Sequence, residues 1–108
     1  MAQRVIWAPR AIALLEEAAG HVANASPAAA RRLIDEAVAA AESLSELSDR
    51  GRFVPELREA SHRELLIGSY RLIYRVAAEQ VEIVAFIHGA RDFRSWWRRQ
   101  KADRAPNN

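Results

Sequence analysis

The chain has 108 residues, of which 50% are hydrophobic and 28% charged, with a formal net charge of +2. That length supports one domain with one core, and the composition is too apolar for a disordered chain. The absence of cysteine excludes disulfides and thiolate metal sites and suits a reducing, cytoplasmic setting.

Arg4 to Trp7 reads as a short first strand. Pro9 then suits the first turn of a helix, where its missing N–H is not needed. Ile12, Leu15, Ala19 and Val22 share one face of that helix. Glu16 and Glu17 interrupt its apolar stretch, so it reads as neither a secretory signal nor a membrane span. Ser26 and Pro27 start a second helix as cap and first-turn residue. Ala30, Leu33, Ile34, Ala37, Val38, Ala41, Leu44 and Leu47 give it a single apolar stripe. The short connection makes the two helices an antiparallel hairpin.

Asp49-Arg50-Gly51 marks a turn, and Pro55 makes Phe53 to Leu57 a loop or an edge segment. The pattern then changes to strands. Arg63 to Ile67 and Tyr70 to Val76 flank Gly68-Ser69, a two-residue hairpin turn. Leu72, Tyr74 and Val76 fall on one face of the second of these, with Arg71, Ile73 and Arg75 on the other. Val81 to Ile87 is apolar on both faces, as a central strand should be. Arg91 to Gln100 reads as a short helix. The expected architecture is α+β: an N-terminal strand and a helical hairpin packed on a small antiparallel sheet. A single domain over 1–100 and a flexible tail over 101–108 are expected.

Charge is spread unevenly. From Ala85 onward six basic residues face two acidic ones, a net of +4, which leaves −2 for the rest. Lys101 is the one lysine among the 16 basic residues. Arginine grips carboxylates and phosphates two bonds at a time and stacks on rings. No glycine-rich phosphate loop, dinucleotide fingerprint or metal-ligand spacing appears, so nucleotide-cofactor and metal chemistry are poor candidates and no cofactor or metal is expected.

What remains is a surface. If the hairpin covers one face of the sheet, the face with Arg71 and Arg75 can stay open to a partner. Equally, both arginines can pair with sheet carboxylates such as Glu64 or Glu82. Arg91 follows the Gly89-Ala90 bend. Trp96 and Trp97 sit between Arg94 and Arg98-Arg99, a pattern that can stack bases and bind phosphates, or simply pin the tail to the body. Arg71, Arg75, Arg91, Arg94, Trp96 and Trp97 are thus the candidate binding residues.

Four stretches carry a resemblance: Arg52-Phe53-Val54-Pro55-Glu56-Leu57, Arg63-Glu64-Leu65, Tyr70-Arg71-Leu72-Ile73-Tyr74-Arg75 and Ile87-His88-Gly89-Ala90-Arg91-Asp92. In this order and spacing the chain resembles the ParE/RelE superfamily of bacterial toxins over about residues 3–94. The resemblance implies the toxin of a type II toxin–antitoxin pair. Its partner would be a cognate antitoxin that wraps the toxin in a hetero-oligomer, laying a helix along it and often adding a strand to its sheet.

The Val54–Leu57 and His88–Arg91 stretches look more ParE-like, which implies a non-catalytic inhibitor of DNA gyrase. A RelE-like alternative implies a ribosome-dependent endonuclease acting on messenger RNA. It would use Glu56 and Arg71, with His88 near the third position. This chain has no lysine before Lys101 to act as base, and Trp97 lies nearest the place of a family tyrosine but cannot transfer a proton. A third possibility is a non-toxic interaction module of the same fold.

Overall fold

The structure is a computed structural model and describes residues 2–57 and 60–104. Its elements, in order, are β1 (Arg4–Trp7), α1 (Pro9–Ala23), α2 (Pro27–Ser43), β2 (Arg52–Phe53), β3 (His62–Ile67), β4 (Tyr70–Val76), β5 (Gln80–His88) and α3 (Phe93–Arg104). The strands form one sheet in the order β1-β5-β4-β3-β2. The meander β2 to β5 is antiparallel, whereas β1 joins β5 in parallel, from Arg4 opposite Gln80 to Trp7 opposite Ile83. The expected α+β architecture holds, with a mixed sheet. α3 continues past Gln100 to Arg104, and residues 105–108 of the expected tail lie outside the described residues.

Local signals place the elements. Pro9 sits in the first turn of α1. The Ser26 hydroxyl accepts from the Ala29 N–H at 3.1 Å and caps α2. Gly68 takes φ 59° at the β3–β4 turn, a left-handed conformation that glycine adopts without steric cost.

The hairpin packs on the sheet through small residues. Ala11, Leu15, Ala18, Ala37, Ala40, Ala41 and Leu44 meet Leu65, Ile67, Leu72, Tyr74, Val81, Ile83 and Phe86. This corrects the expected helical stripes. Ile12, Ile34, Val38 and Leu47 are exposed, because alanines bring the helices close and push the bulkier residues onto the outer shoulder.

The opposite face is covered too. Val54, Ile73, Val84, Ala85, Ile87, Phe93 and Trp96 form a second core there, roofed by α3 and the segment after β2. The expectation of an open face fails for a physical reason: Phe93 and Trp96 fold back onto Ile73. A register shift at Ile73/Tyr74 on β4 also skips Val84 on β5. This bulge sends Val84, Ala85 and Ile87 to the second core and Val81, Ile83 and Phe86 to the first, which strict alternation cannot anticipate.

Tyr74 ties the α2–β2 connection to the sheet. Its hydroxyl donates to the Ser48 carbonyl at 2.9 Å and accepts from the Gly51 N–H at 2.8 Å. A Cβ on Gly51 would lie 2.6 Å from both that hydroxyl and the Glu64 carbonyl oxygen, so only glycine fits.

Candidate functional site

Arg71 is the second residue of β4 and has 7% of its surface exposed. Its Nη1 and Nη2 donate to the two carboxylate oxygens of Glu56 at 2.9 and 2.6 Å. Its Nε donates to Glu64 Oε1 at 2.7 Å, and its guanidinium rests 4.7 Å from the centre of the Phe93 ring. Glu64, fully buried, gives its other oxygen to Arg52 Nε at 2.7 Å. Two guanidinium groups and two carboxylates thus form one neutral chain. A buried charge is tolerated only when paired in this way. Arg71 as an exposed contact is therefore corrected: the second core encloses it and two glutamates use its donors.

The titration behaviour follows from that geometry. Hydrogen bonding to Arg71 holds the Glu56 carboxyl below its ordinary range, against a smaller opposing effect of burial. Burial pulls the Arg71 guanidinium down, but its bonds to Glu56 and Glu64 outweigh that and raise it. For a carboxyl depressed in the folded state, the stabilisation is present above its unfolded value of about 4.3 and is lost as pH falls through the lower folded value. Melting curves taken from neutral to acid pH should therefore fall less steeply for Glu56→Gln than for the parent chain. Parallel acid losses in the two proteins would contradict this.

Arg75 pairs with Glu82, opposite it on β5, at 3.3 Å and stays partly exposed. Both strand arginines thus meet sheet carboxylates. His88 projects from the other side of the sheet. Its ring packs edge-on against Tyr70 at 5.2 Å, and Tyr70 stacks on Phe86 in the hairpin-side core. The Ala90 N–H donates to His88 Nδ1 at 3.0 Å, leaving Nε2 outward. The structure brings Glu56 and Arg71 together and leaves His88 on the opposite face.

The tryptophans turn inward. Trp96 is 3% exposed, and Trp97 is half-buried between Phe93, stacked at 5.7 Å, and His62, edge-on at 5.0 Å. They pin α3 to the sheet. The arginines flanking them turn outward. Arg91 sits 5.9 Å over Trp96, Arg94 donates to the Glu56 carbonyl at 3.2 Å, and Arg98 reaches Ser95 Oγ at 3.4 Å. Arg99 is exposed as well. None of these four forms an ion pair among the described residues. The binding candidates thus divide into an internal set, Arg71 and Trp96, and a surface set led by Arg91 and Arg94. Sequence reasoning passed over Arg98 as a member of the surface set, although its four-residue step from Arg94 was a usable signal.

Among the described residues no three histidine, aspartate or glutamate side chains gather as metal ligands, and no helix is long and apolar enough to cross a membrane. A depression of about 310 Å³ opens beside Glu56 and Arg71, lined also by Arg52, Pro55 and Tyr70.

Comparison with known proteins places the chain. Residues 5–93 match the model of the ParE toxin of the type II toxin–antitoxin system parDE. Toxin RelE2 of Caulobacter vibrioides is 40% identical over 92 residues, covering 84% of this chain and 99% of that protein. A solved structure described as a chromosomal ParDE toxin–antitoxin system from P. aeruginosa superposes with a TM-score of 0.67 at 19% identity, covering 81% of this chain and 96% of that one. The strand order, the helical hairpin and the family match over residues 5–93 agree: this chain belongs to the ParE toxin family of type II toxin–antitoxin systems.

Proposed function

We propose that this toxin acts by binding DNA gyrase and trapping it on DNA, and that a cognate antitoxin neutralises it by covering the toxin in a hetero-oligomer. An antitoxin partner follows from the type II family; the gyrase target is the further step. The observation that carries this reading is the mutual neutralisation of Glu56 and Arg71, with His88 across the sheet. Cleaving RNA needs a base to activate a 2′-hydroxyl, a group to bear phosphate charge and an acid for the leaving oxygen. Both oxygens of Glu56 are engaged by Arg71, and its acidity is shifted away from neutral pH, the wrong direction for a base working there. These facts support an agent that binds its target and leaves the cutting of DNA to gyrase.

In the test, the purified chain is incubated with gyrase, ATP and supercoiled plasmid, and the protein is then denatured and digested. Linear plasmid should appear only when gyrase is present. Intact supercoils across a broad toxin range would overturn the reading.

The name of the Caulobacter relative favours an RNA-cleaving alternative. That alternative requires messenger RNA to be cut in the ribosomal A site, with cutting lost in Glu56→Gln.

A further inference from the structure

The exposed surface separates into two chemistries. Its large apolar side chains, Ile12, Ile34, Val38, Leu47, Phe53 and Leu66, lie on the helical hairpin, the connection after it and the β2–β3 end of the sheet. Those are the places where a protein partner finds apolar anchors. The surface around α3 is different. Among the described residues its exposed side chains include Arg91, Arg94, Arg98 and Arg99, and no large exposed apolar residue lies there. Nearby carboxylates are committed elsewhere, Glu56 and Glu64 to Arg71 and Glu82 to Arg75, and the exposed Asp92 accepts from the Ser95 N–H. Among the described residues Arg91, Arg94 and Arg98 hold only a ring face, a carbonyl and a hydroxyl, with no carboxylate paired to them.

We infer that this surface is a docking site for the phosphate backbone of duplex DNA, bound by the toxin directly and without regard to sequence. Three features select that partner. The four-residue step from Arg94 to Arg98 sets those two guanidinium groups along one side of α3, with Arg99 beside them and Arg91 at the bend before the helix. Arg94 and Arg98 span about 6 Å of helix axis, over which a duplex presents about four phosphates. The tryptophans offer unpaired bases no platform, because Trp96 is buried and Trp97 is held between Phe93 and His62. Single-stranded nucleic acid is gripped largely by such stacking, and duplex backbone is not. The lack of an exposed apolar anchor disfavours an acidic protein segment and fits the polar, cationic character of protein–DNA contacts.

The inference goes beyond the gyrase reading and does not depend on it. A toxin that holds DNA itself gains a second grip wherever its target also lies on DNA.

The test is fluorescence anisotropy of the purified full chain with a labelled duplex of about 20 base pairs and arbitrary sequence, in the absence of gyrase. Binding should weaken with salt at a log–log slope of about −3, which is roughly 60-fold between 50 and 200 mM. The double variant R94E/R98E should lose at least about tenfold in affinity at the lower salt while retaining its circular dichroism spectrum. The single variant R98A, which removes only a contact to Ser95, should reduce the slope by about 1. Single-stranded RNA of equal length and poly-glutamate should bind more weakly than the duplex. Absence of duplex binding, equal binding by folded R94E/R98E, or tighter binding of RNA or poly-glutamate would each overturn the inference. Duplex binding without plasmid linearisation would uphold it and sink only the gyrase reading.

Discussion

Arg71→Ala should strongly destabilise this toxin, so that its effect on folding outweighs any effect on binding. Removing one member of a buried ion pair leaves an uncompensated charge and costs roughly 3–5 kcal/mol. Here Glu64 is fully buried and would retain only Arg52, while Glu56 would lose both of its bonds. The expected cost is about 3 kcal/mol, the lower end of that range, because Arg52 still partners Glu64. For a domain of this size that lowers the melting temperature by roughly 12–24 °C. Arg75→Ala is the control: its pair with Glu82 is long and partly exposed, and its loss should stay within about 0.5 kcal/mol. Thermal denaturation followed by circular dichroism separates the two outcomes. Equal small losses in both variants would mean that water, not Glu56 and Glu64, satisfies Arg71.

Phe86→Ala should destabilise the chain at least as much as Arg71→Ala, by a different route. Phe86 is 1% exposed on the central strand and stacks on Tyr70 at 5.1 Å, so its ring joins the sheet to the hairpin side. Truncating such a ring costs roughly 3–5 kcal/mol through lost burial and the cavity left behind. Leu33→Ala offers the contrast: Leu33 is only half-buried at the margin of the same core and should lose markedly less. Urea denaturation of the two variants checks the order. A Phe86→Ala loss below about 1 kcal/mol would show that the first core can collapse around the vacancy.

Much of the fold was legible because local rules acted without competition. The bounds of β1 and β4 followed from alternation and turn residues, and Ser26 and Pro27 fixed the start of α2. The hidden parts were those decided by non-local contacts. Apolar spacing could not tell that alanine, not isoleucine, would face the sheet from α1 and α2, since helix–sheet distance is a tertiary quantity. The bulge that regroups Val84 and Ala85 leaves no mark in the local pattern. The site shows the same division. Glu64 and Glu82 were legible as partners for the strand arginines, because cross-strand pairing needs only register. That Glu56 closes on Arg71 beneath α3 was not, because it depends on how the segment after β2 returns over the sheet. The Trp/Arg alternation of α3 admitted two readings, and amphipathic folding resolved it: rings inward, guanidinium groups outward.

On the proposed reading, this toxin grips a DNA-bound machine, and Glu56 and Arg71 serve the fold and not a cleavage reaction. The decisive experiment is pulse-labelling of DNA and protein synthesis after the toxin is induced without its antitoxin. Thymidine incorporation should stop first while methionine incorporation continues. A collapse of protein synthesis that precedes any fall in DNA synthesis would contradict the reading.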